Sequence, residues 1–236
     1  MDERSGGEMT RGDTRKRLPM KRILSMVWNY VTRDPMNLFY PIWHWKYFLS
    51  GIFLFNGNKI FKHRTARIEQ RNGRILFGAF QHPFKLPPGF IRLEENAKLI
   101  ITGDVGIGDG TWIEVGPGAT LEIGGNTGIN INTKIGVKES IRIGRDCGIS
   151  AEVRISDTDM HCILDPEGNK MRATAPIEIG DHVWVGARCI IGKGTKIESG
   201  AVIGATALVQ GRVPAKSLVF ASRSQVRPLN IEWVFK

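Results

Sequence analysis

The chain has 236 residues, of which 33 are Lys or Arg and 23 are Asp or Glu, for a formal net charge of +10; 42% are hydrophobic. That is enough apolar material to bury one real core with a modest flanking region. The positive charge is not spread evenly: residues 1–90 hold sixteen Lys and Arg against six Asp and Glu, whereas residues 91–236 hold seventeen of each.

A basic N-terminal part suits an anionic membrane face, the phosphates of a cofactor or another polyanion, and it also serves plain solubility. No nucleic-acid partner is expected. Cys147, Cys162 and Cys189 lack the C-x-x-C spacing of a metal site. An odd cysteine count without a cleavable leader points to a reducing, cytoplasmic location. The basic region adds the variant of a peripheral contact at the inner membrane face.

In chain order, residues 1–17 are charged and Gly-containing with almost nothing to bury, and they read as a disordered tail. Residues 18–90 read as a mixed helical and hairpin region. Ile23, Met26, Val27, Tyr30 and Val31 fall on one helical face, and the helix should stop before Asp34-Pro35. The segment from Asn37 to Phe55 carries Trp43, Trp45, Tyr47, Phe48, Phe53 and Phe55, but His44 and Lys46 interrupt it. Its apolar runs fall short of the roughly 20 residues that span a bilayer. It is expected to cap the open end of the following domain, with an interfacial lipid contact as the alternative. Asn72-Gly73 between Ile68 and Ile75 is a hairpin signal.

A domain at 91–214 is organised by a six-residue repeat. Aliphatic residues recur at Ile107, Ile113, Ile143, Ile149, Ile155, Ile179, Val185, Ile191, Ile197, Ile203 and Val209. Ile123, Ile129 and Ile135 share the spacing but are shifted by two residues, so a slip lies on either side of them. Four places after an aliphatic residue stand small or β-branched side chains, among them Thr111, Cys147, Val153, Cys189, Thr195 and Ala207. Six is not a multiple of 3.6, so the pattern excludes helices and predicts stacked coils of short strands around one aliphatic column. Asn126, Asn130 and Asn132 read as turn residues. Residues 215–236 read as a C-terminal extension.

The repeat fails at length once, between Met160 and Ile177, and an insertion into a solenoid can leave only as a loop. The break opens with Ser156-Asp157-Thr158-Asp159-Met160-His161-Cys162-Ile163, continues as a loop at 162–176, and the coils restart at Pro176-Ile177-Glu178-Ile179-Gly180. His161 occupies a place where the phase calls for an aliphatic residue. An imidazole can take a proton from a hydroxyl and return it to a leaving group near neutral pH. Asp159 and Asp157, two and four residues earlier, lie on the same side of an extended strand and are candidates to orient it, as is a group from another coil or chain. Cys162, pointing opposite to His161, is not expected to pair with it.

With D-x-D-x-H-x-I, the loop and P-I-x-I-G-D-x-V-W-V-G in place, residues 90 to 225 resemble the hexapeptide-repeat acyltransferases, and within them the sugar O-acetyltransferase branch. The resemblance implies an all-β solenoid, a left-handed parallel β-helix with eighteen-residue triangular coils. Val185 would then stack on Ile203, Ile191 on Val209 and Cys189 on Ala207. It implies a homotrimer, acetyl-CoA as co-substrate, no metal, a sugar or glycan acceptor and His161 as the catalytic base. By position it assigns cofactor contacts to Trp184, Gly186, Ala187, Gly204 and Ala205, with Arg223 or Arg227 on the phosphates. The chain departs from the family at Gln210-Gly211 and at Ala221-Ser222-Arg223-Ser224, which bears on those phosphate contacts. The expected function is transfer of an acetyl group to a sugar hydroxyl, in a surface polysaccharide or its precursor. The alternatives are N-acetylation of an amino sugar and a non-catalytic solenoid used for binding or assembly. A zinc-dependent carbonic anhydrase would need three histidines, and only His161 and His182 lie on the repeat.

Overall fold

The computed structural model describes residues 50–78 and 86–221. All of these lie in the larger of the chain's two compact units, residues 41–236; the smaller, residues 1–40, lies outside the described residues. The tail, the helix and most of the aromatic segment expected at the N-terminus therefore fall outside the description, as do Arg223 and Arg227.

Every described strand is parallel to its neighbours, and the strands form three sheets of eight, seven and seven. The first sheet runs from Ile52–Leu54 to Leu218–Val219, the second from Lys59–Lys62 to Leu208–Val209, the third from Arg67–Gln70 to Arg212–Val213. The chain visits first, second and third sheet in turn and moves one strand along the axis at each circuit. The result is the three-sided, left-handed parallel β-helix that the resemblance implies. Among the described residues there is no helix, so none is long and apolar enough to cross a membrane.

The repeat becomes packing directly. Val185 registers on Ile203 and Ile191 on Val209, as eighteen-residue coils require. Ile107, Ile129 and Ile149 form the same column further up, and all are essentially buried. The small and β-branched positions fill the corners between columns: Thr111, Cys147, Val153, Val183, Cys189, Thr195 and Ala201 are all buried. Their polar atoms are used. The Thr111 hydroxyl donates to the Asn130 carbonyl at 3.1 Å and the Cys189 thiol to the Gly204 carbonyl at 3.0 Å. Removing one core Ile side chain from such a column costs about 2–5 kcal/mol, because neighbouring coils cannot collapse into the gap.

The two-residue slips have a place. From Ile101 to Val209 the spacing is six across the corner joining the third sheet to the first and across the corner joining the first to the second. Between the second and third sheets it is ten from Ile113 to Ile123 and eight from Ile135 to Ile143. From Ile155 to Ile179 it is twenty-four. Between Ile101 and Val209 the extra residues all enter at the second-to-third-sheet corner, the long break being the largest of them; earlier, Phe77 to Ile91 is fourteen, at the first-to-second-sheet corner.

One expectation is corrected. Ile68 and Ile75 do not flank a hairpin: Arg67–Gln70 belongs to the third sheet and Ile75–Phe77 to the first, each in parallel pairing. Asn72, at φ 59°, and Gly73 turn a coil corner instead. A Cβ on Gly73 would lie 1.9 Å from the Gly103 carbonyl oxygen, so close stacking on the next coil imposes that glycine. The solenoid accordingly begins by Ile52 rather than at 91, and its last strand is Leu218–Val219 rather than ending at 214.

Candidate active site

Residues 157–176 leave the solenoid between the strands Arg154–Ser156 and Ile177–Ile179 and return on themselves, with antiparallel bridges from Thr158 to Thr174 and from Leu164 to Lys170. The excursion is tied to the coils on both sides. From the preceding coil, Glu139 accepts from the Arg172 guanidinium at 2.7 Å and from the Thr174 hydroxyl at 2.8 Å. From the following coil, Lys193 pairs with the Asp159 carboxylate and donates to the Arg172 carbonyl at 2.6 Å. The Gly194 amide closes on the Ala175 carbonyl at 3.1 Å.

His161 lies near the base of this excursion, immediately after Met160, whose φ of 65° is a left-handed conformation unusual for a long side chain. The imidazole that follows is exposed, with no hydrogen bond to any described residue. The ring is available to a substrate, and none of the described residues fixes its tautomer.

Neither aspartate supplies that partner. Asp157 is fully buried, and its carboxylate accepts from the backbone amides of Lys138 at 2.7 Å and Glu139 at 2.8 Å. Both oxygens are committed to holding the preceding coil's corner, so Asp157 anchors the root of the loop instead of orienting His161. Asp159 is taken by Lys193. The alternation that put all three on one side does not apply, because the strand ends at Ser156 and the chain turns. Lys193 and Glu139 were not visible as site residues in sequence, since an isolated Lys or Glu at a coil corner carries no pattern.

Cys162 is exposed, whereas Cys147 and Cys189 are buried with thiols raised above the ordinary range chiefly by burial. Iodoacetamide should therefore modify Cys162 alone in the folded protein, read by intact mass. Rapid labelling of a second thiol would show that the aliphatic column is not closed. His182 sits exposed at a corner with φ 55°, its amide donating to the Arg145 carbonyl at 2.7 Å. Asn126 and Asn132 turn corners in the same left-handed conformation, while the Asn130 side chain accepts from the Ile131 amide at 2.7 Å.

The expected cofactor residues gather elsewhere. Trp184 is on the first sheet, 58% exposed, with its indole N–H donating to the Ser150 hydroxyl at 3.1 Å. Gly186, Ala187, Gly204 and Ala205 follow at the corner between first and second sheets, on successive coils. The reason for the two glycines is internal. Gly186 is buried, and a Cβ there would come within 2.6 Å of the Ala205 nitrogen; at Gly204 it would meet the Val219 carbonyl oxygen at 2.9 Å. Their amides donate into the ladder, to Ile203 and Val219. The surface open to a ligand is that of Ala187 and Ala205, whose amides donate to no described backbone group. His161 and these alanines thus border the second sheet from opposite corners.

Comparison with known proteins agrees with this architecture. Residues 176–211 match the model of the bacterial transferase hexapeptide (six repeats). The chain is 30% identical over 91 residues to the putative lipopolysaccharide biosynthesis O-acetyl transferase WbbJ of Escherichia coli K12, covering 34% of this chain and 46% of that protein. The chain thus spans about half the length of the curated relative it matches. Among solved structures, the polysialic acid O-acetyltransferase OatWY is similar over 74% of this chain and 92% of its own, with 24% identity and a TM-score of 0.50. The polySia specific acetyltransferase NeuO covers 74% and 91%, with 22% identity and a TM-score of 0.49.

Proposed function

We propose that the chain is a hexapeptide-repeat transferase, as the match of residues 176–211 to that model supports, and that it transfers an acetyl group from acetyl-CoA to a hydroxyl of a sugar, within a glycan or its precursor. One observation carries the reading. The largest interruption of the solenoid presents an exposed imidazole, without a partner among the described residues, from a loop fastened to the coils before and after it.

In the proposed reaction the acceptor hydroxyl lies against His161, which removes its proton as the oxygen attacks the thioester carbonyl. The tetrahedral intermediate collapses with loss of the thiolate, and the imidazolium returns the proton to sulfur. The amides of Ala187 and Ala205 are suited to hold the amide-rich arm of the donor along the coil axis. The test is incubation of the full chain with acetyl-labelled acetyl-CoA and a panel of glycans and amino sugars. Stoichiometric appearance of free CoA and an ester-linked, alkali-labile acetyl group is expected. An alkali-stable amide product would transfer the reading to N-acetylation, and no acceptor-dependent CoA release would overturn it.

A homotrimer is part of the proposal. Within one copy His161 and the Ala187–Ala205 surface stand at different corners, so a neighbouring copy in a closed ring would bring one to the other. Mixed, refolded assemblies of His161→Ala with Ala205→Trp should regain activity that neither parent has, because roughly a quarter of random interfaces would combine two intact halves. A protein that sediments as a monomer in acetyl-CoA, or mixtures that stay inactive, would exclude shared sites.

A further inference from the structure

Along the second sheet, at its edge toward the first, runs an open groove of about 560 Å³ that none of the assignments above uses. Its floor is one outward-facing row, in which Trp112, Lys134, Arg154 and Ile190 occupy successive strands in register. Glu152 and Arg188 line it from the coil corners, and Pro87 and Pro88 close its N-terminal end. The row continues past Trp112 to Phe90, whose ring stacks on the indole at 5.4 Å between centroids.

The charges there are not neutralised. Arg188 is paired with Glu152 at 2.8 Å. The Arg154 guanidinium makes no ion pair or hydrogen bond with any described residue, and the Lys134 ammonium only rests over the Trp112 ring at 4.7 Å from its centroid. Both are exposed and lie on adjacent parallel strands, about 4.8 Å apart along the axis. Two uncompensated like charges at that spacing repel by roughly 1 kcal/mol in water, a cost with no structural return in a free surface. Elsewhere on the solenoid several outward cations meet carboxylates, Arg92 facing Glu114, Arg142 facing Glu122 and Lys196 facing Glu178, whereas Arg67 and Lys98, in register on the third sheet, form a second pair of like charges. What sets the groove apart is that its two unneutralised cations lie in a concave surface beside an exposed indole.

We propose that this groove binds a carboxylated glycan chain lengthwise, as the acceptor of the proposed transferase. The face of a pyranose ring takes the place of the Lys134 ammonium over Trp112, which frees that cation for a carboxylate. Carboxylates of following rings meet Lys134 and Arg154, since the coil spacing is comparable to the advance of one ring along an extended glycan. The direction of the groove supports its belonging to the acceptor. It follows the same corner as Ala187 and Ala205, so a glycan lying in it would point its end toward the donor surface. The inference rests on the acetyltransferase reading only for the word acceptor; binding itself does not depend on it.

The experiment uses the full chain without acetyl-CoA, titrated calorimetrically with oligogalacturonate, hyaluronate and sialate oligomers and with their carboxyl-reduced counterparts. At least one carboxylated oligomer should bind, weaken as salt rises, and exceed its reduced counterpart by tenfold or more. Lys134→Gln with Arg154→Gln should lower that affinity about tenfold and flatten its salt dependence, and Trp112→Ala should lower it for charged and reduced oligomers alike. Acetyl-CoA binding and sedimentation should be unchanged in both variants. Failure of every oligomer to bind, equal binding of reduced forms, or loss of assembly in the double variant would overturn the proposal. Glycan binding without any acetyl transfer would leave the groove standing and remove the enzyme reading.

Discussion

His161→Ala should lower the rate of acetyl transfer by roughly 10²–10⁴-fold, the range over which a positioned general base contributes. Melting temperature and acetyl-CoA affinity should stay at wild-type values, because the imidazole is exposed and packs on nothing that its removal would loosen. The wild-type rate should fall on acidification, since a protonated ring accepts no proton. The measurement is kcat and kcat/KM across pH beside a thermal melt. Folded His161→Ala turning over near the wild-type rate would leave the protein without a base at this loop. A melt that falls in step with activity would make His161 structural instead.

Asp157→Ala should do the reverse. It removes the acceptor of two backbone amides at a fully buried position, leaving the Lys138 and Glu139 N–H groups without partners. Hydrogen bonds to a buried charged acceptor are worth about 1.5–3 kcal/mol each, so a loss of roughly 3–5 kcal/mol is expected, enough to lower the melting midpoint by about 10 °C. Activity should drop with the folded fraction and through disorder of the loop root, yet the acid limb of the remaining rate should not move. An Asp157→Ala protein with an unchanged melt and a displaced acid limb would restore this carboxylate to the role of orienting His161.

The contrast between these two residues shows how far each kind of information reaches. The break in the repeat was legible because hexapeptide phase is strict: Ile155 and Ile179 must sit in one coil, and residues between them that are neither aliphatic nor small cannot. His161 was legible as the side chain standing where a core residue was due. Its neighbours were not. Asp157 and Asp159 fit an orienting triad by spacing, but spacing assumes an extended strand, and the left-handed turn at Met160 ends that assumption. Asp157 turned inward to satisfy amides nineteen and eighteen residues back, and Asp159 outward to Lys193 on the next coil.

The sequence by itself determined the solenoid, its aliphatic columns, its small-residue corners and the position of the long excursion, since a period of six is a local rule that each coil obeys alone. It misread Asn72-Gly73, because a turn signal says that the chain bends and not whether the next strand returns beside the last or climbs to another sheet. Only the tertiary structure decided that the solenoid reaches back to Ile52, that the slips after Ile101 collect at one corner, and that Gly186 and Gly204 are fixed by the coil above them. It alone set Trp112, Lys134 and Arg154 in one row, residues twenty-two and twenty apart in sequence. That separation changes with every slip, and the coils sum those slips into a register that no six-residue window contains.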